Sequence, residues 1–266
     1  MSAPPDTAAW TAACRATAPG LDPWAAQFSF GANPPPPPIP NVIESVIRRT
    51  HVMDGLILRV LGKHRISTVL NLGCGYDTRP WRLRIPSCVT LWIDADSPSV
   101  LERKRQVMNS VPSRCPVLYR PVRIDSQKDE YEHAGMERLL EKASVSPNLL
   151  VITEGLLVYM TTQQVSMLTA QFSAQLPPRC WWITDLVPHP ALALMNAKAD
   201  GRPFRFAPRE GPEFFSALGW SIASRHPVVR HSPATPLPPR FRLSSSLEIV
   251  LFENTLARQA PAACIA

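Results

Sequence analysis

Five short apolar runs, separated by stretches of helical periodicity, constrain this chain more than any other feature. They are Thr68–Leu72, Val89–Asp94, Val117–Ile124, Leu149–Thr153 and Cys180–Leu186. Ser97 and Pro98 can open a helix running to about Val111. A second helix covers about Tyr131–Ala143. Thr161 or Thr162 can cap a third that reaches Leu176. Strands that alternate with helices pair in parallel, and a parallel sheet needs cover on both faces. The expectation is therefore an α/β fold with a Rossmann-like, doubly wound sheet. Ahead of the first run, Asn41 can cap a long helix over Val42–Leu61. Its apolar positions Val42, Val46, Met53, Ile57, Val60 and Leu61 recur near helical spacing. After Leu186 the pattern changes. Residues 187–210 are irregular, with a short helix over Ala191–Ala199, and a helix over Pro212–Leu218 follows. Gly219–Ser224 and Leu247–Glu253 then read as a closing antiparallel pair, which brings the sheet to seven strands.

The N-terminal part reads differently. It is Ala-rich, with a helical patch over Thr7–Ala16 and a second short one after Asp22-Pro23. Pro34–Pro40 is a polyproline stretch, stiff and extended, read as an internal strut. This divides the chain into an N-terminal extension over 1–40 and a main domain over 41–266, in which about 187–212 covers a substrate. A length of 266 residues suits one large domain with an appendage. The net charge of +7 comes from scattered side chains, with no block of five like charges. A nucleic-acid arm is therefore not expected. Six cysteines, Cys14, Cys74, Cys88, Cys115, Cys180 and Cys264, form no Cys-x-x-Cys pair and have no His cluster beside them. Neither a structural metal nor a disulfide framework is expected. No apolar run approaches the ~18 residues of a membrane span, and the first twenty residues lack a leader's apolar core. The expectation is a soluble, cytoplasmic protein without nucleic-acid or membrane partners.

Function should sit after the first strand, in Asn71-Leu72-Gly73-Cys74-Gly75-Tyr76-Asp77-Thr78-Arg79-Pro80. In an open parallel sheet, ligands bind beyond the carboxyl ends of the strands. Gly73 and Gly75 allow the backbone to bend there and approach a ligand. An acid about 20 residues on meets ribose hydroxyls in such sites, and Asp94 and Asp96 end the second strand. A dinucleotide fits badly. Thr78 stands where the third glycine of Gly-x-Gly-x-x-Gly would be. Pro80 and Pro86 limit the next helix to about two turns, too short to face a pyrophosphate. The combination suggests a nucleoside carrying something small, with S-adenosylmethionine the first candidate. Glu154 follows the apolar run Leu149–Ile152, where a carboxylate is expensive without a partner. A sulfonium or ammonium cation would be one. Asp77 is expected to tie down the turn through backbone amides, and Asp94 to orient the loop. Of Trp181 and Trp182, one should pack in the core while the other faces the ligand pocket.

These blocks resemble the leucine carboxyl methyltransferase family, whose bacterial relatives methylate carboxyl or hydroxyl groups in polyketide pathways. Asn71 to Leu83 resembles the family signature Asn-Leu-Gly-Ala-Gly-x-Asp-Thr-x-x-x-Arg-Leu. Glu154-Gly155-Leu156-Leu157-Val158-Tyr159-Met160 is similar to Glu-Gly-Leu-x-x-Tyr-Leu. Asp94-Ala95-Asp96-Ser97-Pro98 with Lys104, Arg49-Thr50 with Asp54, and Val122-Arg123-Ile124-Asp125-Ser126 match in family order. The resemblance implies a class I S-adenosylmethionine-dependent methyltransferase in secondary metabolism. It also implies roles. Gly73 and Gly75 would contact the methionine part of the cofactor, and Asp96 the ribose. Asp125 and Ser126 would flank the adenine, although Ser126 departs from the family's leucine. Arg49 would pair with the cofactor carboxylate, and Glu154 would lie near its amino group.

Methyl transfer from a sulfonium is an in-line displacement, so alignment and exclusion of water are the main tasks. A carboxylate acceptor is ionised at neutral pH and needs no base, whereas a hydroxyl generally does. Among His51, His64, His133, His189 and His226, His189 is the best-placed base. Tyr159 is a candidate for orienting the acceptor. The lack of a convincing base favours a small-molecule carboxylate. Alternatives are a hydroxyl acceptor, a protein C-terminus, and a nucleoside-binding module without catalysis. A nicotinamide oxidoreductase is disfavoured by Thr78 and Pro80.

Overall fold

The computed structural model describes residues 7–28, 40–122, 133–197, 203–228 and 247–255. Two short helices, α1 (Thr7–Ala16) and α2 (Ala25–Phe28), precede the long α3 (Pro40–Lys63). Then β1 (Thr68–Leu72), α4 (Arg79–Arg82), β2 (Leu91–Asp96), α5 (Pro98–Met108) and β3 (Val117–Pro121) follow. Next come α6 (His133–Ser144), β4 (Leu149–Thr153), α7 (Thr162–Gln175), β5 (Cys180–Leu186) and α8 (His189–Ala197). β6 (Trp220–Pro227) and β7 (Glu248–Asn254) close the chain's described part. The strands form one sheet in the order β3-β2-β1-β4-β5-β7-β6. β1 to β5 run parallel, and β7 pairs antiparallel with both β5 and β6. This is the expected doubly wound, seven-stranded α/β architecture.

Alternation along the strands explains the two covered faces, because successive side chains point to opposite sides. Val69, Trp92, Leu150, Ile152, Trp181 and Ile183 pack with Met53, Ile57 and Leu61 of α3. Leu70, Leu72, Ile93 and Val151 pack on the other face against α6 and α7, through Met136, Leu140, Leu168 and Phe172. Trp182 lies at the centre of that second face. It is fully buried, edge-on to Phe172, Phe215 and Trp220, and its Nε1–H donates to Thr153 Oγ1 at 2.9 Å. Trp181 does not face a ligand pocket as anticipated. The sheet's alternation turns it toward α3, where it stacks on His64 with ring centroids 4.2 Å apart.

Several element ends also differ from the sequence expectation. α3 opens at Pro40, so Asn41 falls within its first turn rather than at the cap. Proline suits that first position, since its missing N–H would be unpaired there anyway. The remainder of the polyproline strut, Pro34–Ile39, lies outside the described residues. β2 begins two residues later than expected, because Val89 N–H closes a turn onto Pro86 O and Thr90 N–H reaches Ser67 O. Ser97 is not a side-chain cap for α5; its hydroxyl meets Ser99 instead. Thr161 is the cap of α7, in a reciprocal box with Gln164.

The first helices are packed onto the glycine turn. Ala12 and Phe28 share an apolar cluster with Tyr76, Trp81 and Met108, and Phe28 stacks flat on Tyr76 at 4.6 Å. Arg15 donates to Tyr76 O at 2.6 Å, and Thr78 Oγ1 to Asp22 Oδ1 at 2.7 Å.

Candidate functional site

The turn after β1 is built by left-handed glycines and held by carboxylates. Gly73 and Gly75 have φ of +67° and +47°, a region that side chains with a Cβ disfavour. A Cβ on Gly73 would strike Leu156 at 2.9 Å, and one on Gly75 would press on Ala8 of α1 at 3.3 Å. Asp96 ties this turn to β2. Its Oδ2 accepts from Gly75 N–H at 2.8 Å and its Oδ1 from Ser97 N–H at 2.7 Å. Asp77 accepts from Arg79 N–H and from Asn71 Nδ2, both at 2.9 Å, which is the turn-fixing role expected of it. Asp94 lies beneath the loop, fully buried. It pairs with Lys104 at 2.8 Å and accepts from Trp92 Nε1 at 3.0 Å, consistent with orienting the loop.

Beside the turn, four elements bring a set of charges together. Arg79, on α4 and 2% exposed, meets three carboxylates. Its Nε donates to Asp54 Oδ1 at 2.6 Å and its Nη1 to Asp77 Oδ2 at 2.9 Å, while its Nη2 lies 2.7 Å from Glu154 Oε2. Arg82 holds the other oxygen of Asp54. Arg49, on α3, lies with Nε 3.0 Å from Glu154 Oε1 and donates from Nη1 to Asp185 Oδ2 at 3.0 Å. The Nε–H of Arg49 has no aligned acceptor among the described residues. Burial opposes ionisation of Glu154, but Arg79 and Arg49 outweigh it and hold the carboxyl below its ordinary range. Burial likewise opposes the charge on Arg49, and Glu154 and Asp185 override it to keep the guanidinium firmly protonated.

The structure therefore corrects one expectation. Glu154 does not depend on a ligand cation for its charge balance. Two arginines of the chain flank it, one of them 105 residues away on α3 and the other on α4. Arg79, Arg82 and Asp185 were given no role from the sequence. Asp185 carried a readable signal, being a carboxylate one residue before the end of the apolar run of β5, much as Glu154 directly follows that of β4. Asp125 and Ser126 lie outside the described residues.

Tyr159 and His189, the two candidates for acting on the acceptor, lie near the segment 203–207. Tyr159 ends the 3-10 turn Leu157–Tyr159, and its ring packs against Phe204 at 5.3 Å. The segment 203–207 lies over this turn, with Arg205 and Phe206 N–H both donating to Val158 O. Asn196 of α8 clamps it by exchanging two amide bonds with Phe204, at 2.8 and 2.7 Å. His189 is exposed, and its Nδ1 lies 2.7 Å from Ala207 O. A carbonyl only accepts, so Nδ1 carries the proton and Nε2 keeps the lone pair in the neutral ring. Among the described residues, no group of three or more His, Cys, Asp and Glu side chains is placed to hold a metal, and no helix is long and apolar enough to cross a membrane.

The family model for leucine carboxyl methyltransferase matches residues 16–173. The chain belongs to the leucine carboxyl methyltransferase family. Leucine carboxyl methyltransferase 1 of Rattus norvegicus is 28% identical over 149 residues, 47% of this chain and 44% of that protein. The tetracenomycin polyketide synthesis O-methyltransferase TcmP of Streptomyces glaucescens is 29% identical over 116 residues, 42% of this chain and 36% of that protein. The matches thus span less than half the length of these relatives. The fold itself extends further. A structure described as a methyltransferase from Thermobifida fusca YX superposes with a TM-score of 0.56 at 18% identity, covering 81% of this chain and 84% of that one. A DUF574 family protein from Streptomyces avermitilis does so at 0.55 and 12%, covering 81% and 86%. Within the leucine carboxyl methyltransferase family, the matched span contains Arg49, the glycine turn, Asp96 and Glu154, whereas Asp185 and the clamp on Phe204 lie beyond it.

Proposed function

We propose that the protein is an S-adenosylmethionine-dependent O-methyltransferase that methylates a carboxylate of a small-molecule acceptor, in secondary metabolism. The observation that carries this reading is that one edge of the sheet, at the ends of β1, β2 and β4, bears both Asp96 bonded to the glycine turn and the half-buried Arg49–Glu154 pair. Membership of the family supports it, as do relatives named for leucine carboxyl and polyketide O-methylation.

The residues present fit the cofactor. Arg49 carries five N–H donors, more than its contacts to Glu154 and Asp185 employ, and a ligand carboxylate suits such a fork. Glu154 has further lone pairs for an ammonium, Asp96 for ribose hydroxyls, and the peptides of Gly73 and Gly75 line the approach. Asp125 and Ser126 are assigned to the adenine. When bound, the cofactor supplies an electrophilic methyl group on a cationic sulfur. The chain's part is to orient the acceptor oxygen and exclude water. Residues 1–40 act as an extension whose helices roof the turn, and about 187–212 as the acceptor lid. Tyr159 and Phe204 give that lid an aromatic wall. An acceptor carboxylate, ionised at neutral pH, asks no base of the chain.

A hydroxyl acceptor is the second reading. It is favoured by one observation, the bond from His189 to Ala207 O that leaves Nε2 with its lone pair. Label transfer from methyl-labelled cofactor separates the possibilities. A carboxyl methyl ester releases its label in mild alkali, and a hydroxyl ether retains it. Alkali-labile label in the small-molecule fraction is expected. Alkali-stable label whose formation is lost in His189→Ala would replace the carboxylate reading, and label in a protein fraction would replace the small molecule.

A further inference from the structure

We propose that Asp185 is a positioning residue for the cofactor's amino-acid tail. It acts by holding the Arg49 guanidinium and the Glu154-Gly155 peptide in fixed register, and the proposal rests on the cofactor reading above. Asp185 is the penultimate residue of β5 and is 7% exposed. One oxygen, Oδ1, accepts from Gly155 N–H at 2.7 Å. The other, Oδ2, accepts from Arg49 Nη1 at 3.0 Å. A single carboxylate therefore bridges α3 and the loop after β4 from a third element. The fit is close on all sides. Gly155 has φ of +62°, and a Cβ there would lie 3.2 Å from Arg49 Nη1.

The geometry explains why one acid would not be enough. Glu154 contacts Arg49 through Nε without an aligned hydrogen bond, and its other oxygen is drawn to Arg79. With Glu154 alone, the guanidinium could rotate about that contact. Asp185 fixes a second corner of the planar fork, and two fixed corners set its plane. The remaining donors of Arg49 then point in one direction before any ligand arrives, which lowers the ordering cost of binding. The same carboxylate fixes the peptide that carries Glu154, so the tail's two charged groups would meet two pre-set partners.

The test compares two nucleosides on the intact chain. S-adenosylhomocysteine carries the amino-acid tail, and 5′-methylthioadenosine lacks it. Asp185→Asn keeps an acceptor for Gly155 but removes the charge facing Arg49. Losing one charged hydrogen-bond partner should weaken S-adenosylhomocysteine by about tenfold or more, while methylthioadenosine affinity stays within about twofold. In an Arg49→Met background, Asp185→Asn should then change S-adenosylhomocysteine affinity by less than about twofold, since coupled residues share one effect. Should Asp185→Asn not fold, Asp185→Glu, with its charge one methylene farther out, carries the same pair of titrations, with a smaller loss confined to the tailed nucleoside. Equal loss for both nucleosides would mean a purely structural role, and unchanged binding of both would mean none; either overturns the proposal. If wild type binds neither, the cofactor reading fails and the proposal falls with it. If wild type binds both and only the selectivity prediction fails, the cofactor reading stands and the role of Asp185 alone is withdrawn.

Discussion

Arg79 keeps a full positive charge almost out of reach of water, and Asp54, Asp77 and Glu154 surround it. Leaving a buried charge wholly uncompensated costs roughly 3–5 kcal/mol; removing one of the three carboxylates strips only part of the compensation of Arg79 and should cost less. The network also has a pH signature. Burial works against the charge on Asp77, but Arg79 and then Lys104 hold its carboxyl well below the usual range; burial also opposes the charge on Glu154, and Arg79 and Arg49 lower its carboxyl nonetheless. Depressed folded values mean that the unfolded chain binds protons first. The stabilisation is therefore complete above the ordinary carboxylate range and is lost as pH falls below about 4.5. Thermal melts between pH 7 and 3.5 should show this loss. Glu154→Gln should be less stable at pH 7 yet have a shallower acid slope. An unchanged slope would contradict the ion pairing of Glu154.

At the scale of elements, the proposed acceptor side is a helix, a 3-10 turn and an extended segment tied together by a few polar bonds. Asn196 supplies two of them, both to Phe204, whose ring walls Tyr159. Asn196→Ala should loosen that wall and raise the acceptor KM several-fold, at the ~1 kcal/mol of a neutral hydrogen bond, with cofactor affinity unchanged by calorimetry. A matching fall in cofactor affinity would show that the segment serves the wrong ligand. Much of this level was legible in the sequence. α1, β1, β4 and β5 have the bounds that periodicity and apolar runs predict. Element ends moved where local bonds override pattern, as at Val89 and Thr90 before β2. β6 runs to Pro227 through a bulge between Ile222 and Ser224, which interrupts the alternation that marks a strand. The glycine turn, Asp96, Arg49 and Glu154 were legible because each sits in a short block. Their mutual contacts were not, since Arg49 reaches Asp185 across 136 positions and no local pattern encodes such a distance.

For the molecule as a whole, β5 joins the five parallel strands to the antiparallel pair, and its Trp182 gathers Phe172, Phe215, Trp220 and Phe252 around one indole. Trp182→Ala should cost about 3–5 kcal/mol in urea unfolding, as expected for a large aromatic removed from a filled core. A loss under ~1 kcal/mol would show that the two halves of the sheet do not share one core. The same junction bears on the candidate site, because Asp185 lies near the end of the strand that Trp182 anchors. The central claim is that this sheet's carboxyl edge holds a nucleoside with an amino-acid tail. Titration calorimetry of the intact chain with S-adenosylhomocysteine tests it most directly. Saturable one-to-one binding is expected, and Asp96→Ala should weaken it by at least about tenfold, the loss of charged hydrogen bonds to a ligand. Absence of binding at millimolar ligand, or equal affinity in Asp96→Ala, would contradict it.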